Sequence, residues 1–430
     1  MTIANEHPAL SNSLWTATTR EQVTCPMLTG ETEADICIIG GGITGLSAAL
    51  RAQAAGRSVI VLESQSPGWG ASGRNGGQVL PGLKENPREV EARFGEMGRR
   101  MIAASGAAPQ LVFDLIATHG IDCDPRREGW IHAATGSGLA EARDRAAQWR
   151  VRGAEVRDLD AAQTKEMLGG GIYDGALLDL RGGSVNPQAY ATGLARAALA
   201  AGIRIHGDSP VAGLQAVAGG WCAETPSGKV TAREVALCTN GYSGPLDERL
   251  RSNVVPVRSI QIATDPLPDT LLPDILPGRQ VASDTQKSLL YFRRDAENRF
   301  VMGGAGAYDE AGLERAFARL KDRAQDLFPQ LDGTRWRYGW GGFVAITADH
   351  LPHLAELAPG LHAALGFNGR GVAMATALGG ILGDRLSGTP AEDLDFPTRA
   401  LRPFPLQRFH RQGVKMVLLM ASLQDHLHLR

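Results

Sequence analysis

The sequence predicts an α/β protein, α+β overall, in which a Rossmann-like domain is joined to a second domain built on an antiparallel sheet. Near the N-terminus, an apolar run, a glycine-rich turn, a helix-forming segment and a second apolar run follow one another. This order is typical of a strand–helix–strand unit in a parallel sheet. Between about residues 251 and 345, segments of alternating polarity are separated by turns rich in Pro and Gly, which indicates antiparallel strands.

The elements of the Rossmann-like domain follow from apolar runs and glycine positions. Residues 35–40 (DICIIG) are a continuous apolar run, as expected of a strand buried on both faces. Residues 43–55 place apolar side chains at helical spacing, and Gly56 stands where a left-handed helix cap is favoured. Residues 58–62 predict the second strand. Further helices are predicted at 186–201 and 372–386, and further strands at 203–206, 235–238 and 361–365.

These elements predict a discontinuous domain organisation. Residues 1–34 form a polar arm; residues 35–87, 150–250 and 346–390 form the Rossmann-like domain; residues 88–149 and 251–345 form the second domain; residues 391–430 form a tail. The tail carries an apolar run after a basic stretch. Such a segment lies on a membrane surface or packs on its own domain or a partner, and we favour packing.

Composition excludes several classes of protein. The chain has 430 residues with 44 Lys+Arg and 46 Asp+Glu, a net charge of −2, so it has no electrostatic footprint for nucleic acid. Its five cysteines form no CxxC, which predicts neither a disulfide framework nor a metal site. The sequence shows no signal peptide and no apolar stretch of about 20 residues. We therefore expect a cytoplasmic protein without a transmembrane segment.

The sequence GGGITG lies between the first predicted strand and helix, and it contributes Gly40, Gly42 and Gly45. In a dinucleotide-binding unit the first glycine allows the tight turn, the second lets main-chain amides approach a pyrophosphate, and the third lets the helix pack on the sheet. Glu63 ends the next strand, where an acid accepts hydrogen bonds from a ribose. The combination predicts a dinucleotide site but leaves FAD and NAD open.

A second glycine-rich segment, GWGASGRNGGQ at residues 68–78, follows the second strand directly. Together with ALCTNGYSG, YFRRDAENRFVMGG and LGFNGRGVAMATALGG, it resembles the D-amino-acid-oxidase-type FAD-dependent oxidoreductases, and within them the γ-glutamylputrescine oxidoreductase branch. The resemblance runs from about Trp15 to Leu386. It implies a two-domain flavoprotein that oxidises a C–N bond of an amine or amino acid.

The resemblance also implies the positions that contact FAD. Gly40, Gly42, Gly45 and Glu63 would hold the ADP half, and Val211 would lie beside adenine. The residues implied beside the pyrophosphate and flavin are Ser72, Gly73, Gly76, Gly77, Gln78, Gly366, Gly369, Gly371 and Val372. The last helix would point its N-terminus at the N1/O2 edge of the flavin, where negative charge develops on reduction. Because no histidine lies between His7 and His119 and no cysteine follows Cys238, we expect FAD to be bound non-covalently.

The implied chemistry is hydride transfer from the carbon next to a neutral amine, so the protein must orient and desolvate the substrate rather than supply a catalytic triad. Candidates for contact with the substrate are Tyr291, Arg293, Arg258 and Trp340, because an arginine fork binds a carboxylate and aromatic rings exclude water. For each of them a purely structural role is the alternative. Arg370 adds charge beside the flavin or faces solvent.

The expected partners are a small amine or amino-acid substrate and O2 or another electron acceptor. Three alternatives remain open: a dehydrogenase that passes electrons to a quinone or another carrier, a non-catalytic flavin-binding module, and an NAD-dependent dehydrogenase. The glycine-rich loop at residues 68–78 disfavours the last.

Overall fold

The computed structural model describes residues 11–286, 288–405, 407–417 and 420. Within these residues the strands are β1 (Ser11–Asn12), β2 (Gly30–Ile39), β3 (Val59–Leu62), β4 (Gln78–Val79), β5 (Trp130–Ala134), β6 (Val156–Asp160), β7 (Gly175–Asp179), β8 (Gly183–Ser184), β9 (Arg204–His206), β10 (Gly213–Val217), β11 (Gly220–Glu224), β12 (Gly228–Leu237), β13 (Val254–Pro266), β14 (Val281–Asp284), β15 (Tyr291–Arg294), β16 (Arg299–Ala305), β17 (Trp336–Thr347), β18 (His353–Ala358) and β19 (Leu361–Leu365). The helices are α1 (Leu14–Thr18), α2 (Ile43–Ala54), α3 (Ala71–Arg74), α4 (Pro87–Phe94), α5 (Glu96–His119), α6 (Ser137–Val151), α7 (Ala161–Leu168), α8 (Pro187–Ala200), α9 (Glu248–Asn253), α10 (Glu310–Leu327) and α11 (Gly371–Leu386).

The first sheet has a parallel centre. Strands β9, β3, β2, β12 and β19 run parallel in that order, and β18 and the β10–β11 hairpin extend the sheet in antiparallel fashion. One face packs on a core with α2, α5, α8 and α11. The opposite face contributes Cys37, Ile39, Ile60 and Leu62 to a second core. Burial on both faces explains why β2 and β3 are continuous apolar runs.

The second sheet has nine strands in the order β1-β17-β13-β16-β15-β14-β5-β7-β6. One face packs on α10 through a core that includes Ile260, Phe292 and Met302. The other face carries residues in matching register on adjacent strands: His132 pairs with Ser283, Ser283 with Tyr291, Tyr291 with Gly303, Gly303 with Gln261, and Gln261 with Trp340. Since registered residues share a face, these positions form one row, here called the polar row, across the sheet.

The structure confirms the mixed α/β fold class and differs from the predicted organisation in two places. Helix α5 was predicted in the second domain, but its apolar face packs with α2, α8 and α11 on the parallel sheet. Residues 156–160 and 175–179 were expected in the Rossmann-like domain, but as β6 and β7 they pair with each other and with β5 in the nine-stranded sheet. The buried GALLD run of β7 is apolar enough for either sheet. Its partner strand β5 lies more than 40 residues earlier in the chain. Alternating segments were also predicted between about residues 251 and 345, and there a turn at residues 295–298 separates the antiparallel strands β15 and β16.

The described residues of the arm and of the tail both pack on the rest of the protein. Ser11 and Asn12 pair with β17, and Trp15 is buried. In the tail, the main-chain oxygen of Arg402 accepts a hydrogen bond from Asn253 at 2.8 Å. Residues 418, 419 and 421–430 lie outside the described residues, so the membrane or partner contact of this segment stays a prediction.

Among the described helices, α5 is long and apolar enough to cross a bilayer by length and composition alone. In this structure it packs on α4, α8 and α11, and its buried face includes Met101, Ile102 and Phe113. This is the packing of a core helix.

Candidate functional site

The candidate site lies at the carboxyl edge of the parallel sheet. Strands β2, β3, β12 and β19 all point their C-terminal ends to this edge, which is where ligands bind in open α/β sheets. The turns that follow are linked directly. The amide of Gly41 donates to Glu63 Oε2 at 2.7 Å, and the amide of Gly366 donates to Asn240 Oδ1 at 2.9 Å.

The first glycine turn leaves no room for side chains. A Cβ on Gly40, whose φ is +114°, would lie 2.7 Å from the main-chain oxygen of Cys238, and one on Gly45 would collide with the main-chain oxygen of Gly40. A Cβ on Gly42 would lie 2.7 Å from Ser72 Oγ, which accepts a hydrogen bond from the Ile43 amide at 3.0 Å. The bare main chain at the start of α2 therefore fits a dinucleotide pyrophosphate.

Glu63 lies beside the first glycine turn, where its carboxylate is held by main-chain amides, and its contact with a ribose stays a prediction. Besides the amide of Gly41, its carboxylate accepts a hydrogen bond from the amide of Gln65 at 3.0 Å. Burial raises the pKa of Glu63, whereas these amide donors lower it in part. The main chain of Ser209 donates to the Glu63 carbonyl at 2.8 Å, and this brings Val211, two residues later, to the same side. The contact of Val211 with adenine stays a prediction.

The second glycine-rich loop lies between the two sheets. The main-chain oxygen of Arg74 accepts hydrogen bonds from Trp340 Nε1 at 3.1 Å and from Gln261 Nε2 at 2.5 Å. The oxygen of Asn75 accepts one from Trp15 Nε1 at 2.8 Å. Residues of the polar row and the arm thus fix the course of the loop. Gln261 carries no sequence motif that predicts this contact, and Trp15 was predicted only as the start of the region that resembles the family.

The glycines of this loop pack as closely as those of the first turn. A Cβ on Gly76 would lie 2.9 Å from Tyr291 Cε2, and one on Gly77, whose φ is +66°, would lie 2.7 Å from an Arg293 nitrogen. A Cβ on Gly73 would lie 2.5 Å from the main-chain oxygen of Gly68. Gln78 follows Gly77, and its side-chain amide donates a hydrogen bond to the main-chain oxygen of Ala282 at 2.9 Å.

The last glycine turn leads into α11. Gly366 and Gly369 have positive φ values of +81° and +85°. The buried Asn368, with a φ of +52°, accepts a hydrogen bond from the Thr347 amide at 3.0 Å. Helix α11 begins at Gly371 without a capping side chain, so the first amides, including that of Val372, lack an intrahelical partner. An uncapped N-terminus at this edge fits the predicted contact with the electron-rich edge of a flavin.

Three of the four substrate candidates, Tyr291, Arg293 and Trp340, lie around the second glycine-rich loop, and Arg258 lies apart from them against Phe343. Tyr291 lies in the polar row, and its hydroxyl is 2.7 Å from Ser259 Oγ. Arg293 donates to the main-chain oxygen of Val185 at 2.8 Å and stacks on Trp15. Arg258 is buried with its guanidinium 4.4 Å from the ring centroid of Phe343. Trp340 is fully buried beside Trp15 and the loop. Contact between the substrate and each of these four residues stays a prediction.

The pKa values of two of these groups reflect their burial. Burial raises the pKa of Tyr291 to about 12, although the hydrogen bond with Ser259 opposes this shift. Burial lowers the pKa of Arg293 to about 10, against the attraction of Asp295 and Asp124. Near neutral pH the phenol is therefore protonated and the guanidinium remains charged.

Comparison with known proteins agrees with this geometry. A family model described as DAO, FAD dependent oxidoreductase, matches residues 35–385. The chain is 31% identical over 418 residues to gamma-glutamylputrescine oxidoreductase of Escherichia coli, with 95% of each chain covered. It is 30% identical to the probable oxidoreductase OrdL of Haemophilus influenzae, over 84% of this chain and 85% of that one.

Among solved structures, glycine oxidase from Geobacillus kaustophilus superposes with a TM-score of 0.69 at 22% identity, covering 84% of this chain and 96% of that one. This likeness supports the fold. The family match and the relative gamma-glutamylputrescine oxidoreductase confirm the predicted cofactor, FAD, and the predicted enzyme class, an FAD-dependent amine or amino-acid oxidoreductase. The chain belongs to the DAO family of FAD-dependent oxidoreductases.

Proposed function

We propose that this enzyme oxidises the C–N bond of an aliphatic amine or amino acid, with a γ-glutamylputrescine-like substrate favoured, and that O2 accepts the electrons. The observation that carries the proposal is the position of the loop at residues 74–78, which lies between the dinucleotide edge and Tyr291 of the polar row. The relative gamma-glutamylputrescine oxidoreductase matches this chain over 95% of its length, which supports the proposal.

The glycine turns at Gly40–Gly45, at Gly73–Gly77 and before α11 would hold FAD, which when bound would supply the acceptor at N5 for a substrate hydride and would be reoxidised by O2, giving H2O2. The substrate carbon loses this hydride and the adjacent nitrogen loses one proton, which gives an imine. Water then adds to the imine and releases a carbonyl compound and an amine.

The residues of the site orient the substrate and exclude water. Tyr291 stays protonated near neutral pH, so its hydroxyl donates one hydrogen bond while its ring packs against Gly76. Ser259 fixes the direction of that hydroxyl. With no acid–base pair assigned to the reacting nitrogen, we expect the substrate amine to react in its neutral form, and orientation and desolvation to supply most of the rate enhancement.

The test uses the purified flavoprotein with γ-glutamylputrescine, putrescine and glycine. We expect anaerobic bleaching of the flavin by the preferred amine and stoichiometric H2O2 under air. Tyr291→Phe should lower kcat/KM about tenfold, because one hydrogen bond near the reacting centre is lost. The matched control is Tyr338→Phe, because Tyr338 is a partly exposed tyrosine on β17 of the same sheet. Turnover only with an artificial electron acceptor would refute the oxidase proposal, and no bleaching by any amine would refute amine oxidation.

A further inference from the structure

His353, the first residue of β18, is a buried histidine whose two ring nitrogens both face oxygen atoms. It is 7% exposed. Its Nδ1 lies 2.9 Å from Asn253 Oδ1, and its Nε2 lies 2.9 Å from Asp349 Oδ1. The orientation of the Asn253 amide is set by its nitrogen, which donates to the main-chain oxygen of Arg402 at 2.8 Å. The atom of Asn253 that faces the ring is therefore an acceptor.

The carboxylate of Asp349 is also an acceptor. Arg399 of the tail and Arg93 of α4 both reach its Oδ2 atom, at 2.9 and 3.3 Å. Although burial disfavours the charged form of Asp349, hydrogen bonds from His353 and Arg399 keep its pKa well below the usual range. A ring nitrogen that faces an acceptor carries a proton. Because both nitrogens of His353 face acceptors, the geometry requires the doubly protonated, charged imidazolium.

This imidazolium is joined by strand pairing to the last glycine turn. Strands β18 and β19 are antiparallel, and His353 is in register with Leu365. Leu365 is the residue directly before Gly366, where the turn that leads into α11 begins. A shift of the ring therefore reaches the turn through one pair of neighbouring residues.

A second connection runs through the loop between β17 and β18. Asp349 Oδ1 accepts a hydrogen bond from the Leu351 amide at 3.2 Å, and the Leu351 oxygen accepts one from Thr347 Oγ1 at 2.9 Å. The Thr347 amide donates to Asn368 Oδ1 at 3.0 Å. A Cβ on Gly366 would collide with the Thr347 side chain. The partner of His353 thus belongs to the same loop that holds the turn.

We propose that His353, as an imidazolium between Asn253 and Asp349, is a positioning residue for FAD, and that loss of its proton weakens FAD binding. A neutral ring has only one N–H, so one nitrogen lone pair would face an oxygen at 2.9 Å. The ring must then turn away, which loosens its contacts with the loop and the turn. The inference concerns the cofactor and does not depend on which amine is oxidised.

The direction of the pH dependence follows from this geometry. The ordered turn favours the charged ring, so FAD should bind most tightly where the ring is charged, and its affinity should fall as rising pH removes the proton. The charged groups that act on the ring are Asp349 and, through its carboxylate, Arg93 and Arg399. From α9 and β19 the ring meets the uncharged residues Asn253 and Leu365.

The first test observes the ring directly. The holoenzyme is labelled with 15N-histidine, and the signal of His353 is identified by its absence in His353→Gln. At pH 6 we expect both ring nitrogens to be protonated and to show hydrogen-bonded N–H signals. A neutral tautomer with a single N–H at pH 6 would overturn the proposal.

The second test measures FAD release from diluted holoenzyme by flavin fluorescence, between pH 6 and pH 9. For the wild type we expect the Kd of FAD to rise about tenfold over this range, as for the loss of one charge-assisted hydrogen bond. His353→Gln keeps a donor toward Asp349 but does not titrate, so its Kd should change by less than about threefold. Any effect of Glu63 titration is common to both proteins.

His350→Asn is the matched control. His350 lies in the same loop, but its side chain is half exposed and its Nδ1 lies 3.2 Å from Glu85. Its φ of +53° is one that Asn adopts readily. This variant should keep the pH dependence of the wild type. Asp349→Asn is a second variant should His353→Gln fold poorly: its amide can accept from a charged ring or donate to a neutral one, so the pH dependence should be lost.

Three results of the second test would overturn the proposal. The first is an equal pH dependence in the wild type and His353→Gln. The second is a weakening of FAD binding in His353→Gln by the same factor at every pH, since His353 would then have a structural role only. The third is loss of the pH dependence in His350→Asn, which would assign the titration to the wrong histidine.

Discussion

Two adjacent glycines of α11 should respond in opposite directions to the same substitution. A Cβ on Gly379 would lie 2.5 Å from the main-chain oxygen of Thr44 and 2.8 Å from Ser47 Cβ, both in α2. A Cβ on Gly380 would meet nothing within 4 Å. Both residues are in the helix interior, so replacement by Ala gains the same helix propensity of about 0.5–1 kcal/mol.

The magnitude follows from the contact with α2. Ordinary carbon–oxygen contacts begin near 3.4 Å, so Gly379→Ala requires the two helices to separate by several tenths of an ångström. Overpacking of this kind costs about 1–3 kcal/mol. Because the gain in helix propensity is common to both variants, the difference between their free energies of unfolding gives the packing cost alone. We expect Gly380→Ala to be more stable than wild type, and Gly379→Ala to be less stable than Gly380→Ala by about 1–3 kcal/mol.

The assay is urea unfolding followed by far-UV circular dichroism on protein stripped of flavin, together with FAD titration of each variant. Helices α2 and α11 both begin at the candidate cofactor site, so Gly379→Ala should also weaken FAD binding, whereas Gly380→Ala should not. Equal unfolding midpoints for the two variants would refute the close packing of α2 on α11.

Three further predictions concern the cofactor and the fold. Glu63→Gln keeps the size of the side chain but removes its charge, so the Kd of FAD should rise about 10- to 100-fold in a fluorescence titration, and an unchanged Kd would contradict the ribose contact. Acid precipitation should release all flavin into the supernatant, and yellow precipitate would contradict non-covalent binding. Burial of Asp349 opposes its ionisation, but hydrogen bonds from His353 and Arg399 hold its pKa well below the usual range. The stability it contributes is therefore complete above the ordinary aspartate pKa and is lost as pH falls toward the lowered value. Asp349→Asn should destabilise the protein by about 1–2 kcal/mol at pH 7. The difference between the urea midpoints of the wild type and of Asp349→Asn should become smaller as the pH falls from about 5 to about 3.

The parallel half of the fold was predictable from sequence because its signals are local. The strand–turn–helix order around Gly40 and Gly45 predicts α2 to within one residue and the C-terminal half of β2, whose first five residues were assigned to the arm, and the glycine turn before residue 371 predicts α11. Glycines at close main-chain approaches have no substitute that fits, so they mark the cofactor edge in the sequence itself.

The second domain was less predictable because its contacts are non-local. Whether β7 joins one sheet or the other depends on its pairing with β5, which no local pattern encodes. Arg293 and Trp340 were chosen by residue type, but strand register decides where each side chain points. Register places Trp340 against the main chain of the loop and Arg293 against Val185. Gln261, which holds the same loop, carries no sequence signal that distinguishes it from an ordinary strand residue.

The loop at residues 74–78 links cofactor binding to the docking of the two sheets. Its main-chain oxygens are held by Trp340 and Gln261 of the nine-stranded sheet and by Trp15 of the arm. Ser72, two residues before the loop, accepts a hydrogen bond from the Ile43 amide at the start of α2 in the Rossmann-like domain. A flavin site that includes this loop exists only when both sheets and the arm are in place. Since FAD binds the folded state, its binding free energy stabilises that docking as well as the parallel sheet. Variants that loosen the polar row should therefore lose flavin before they lose secondary structure.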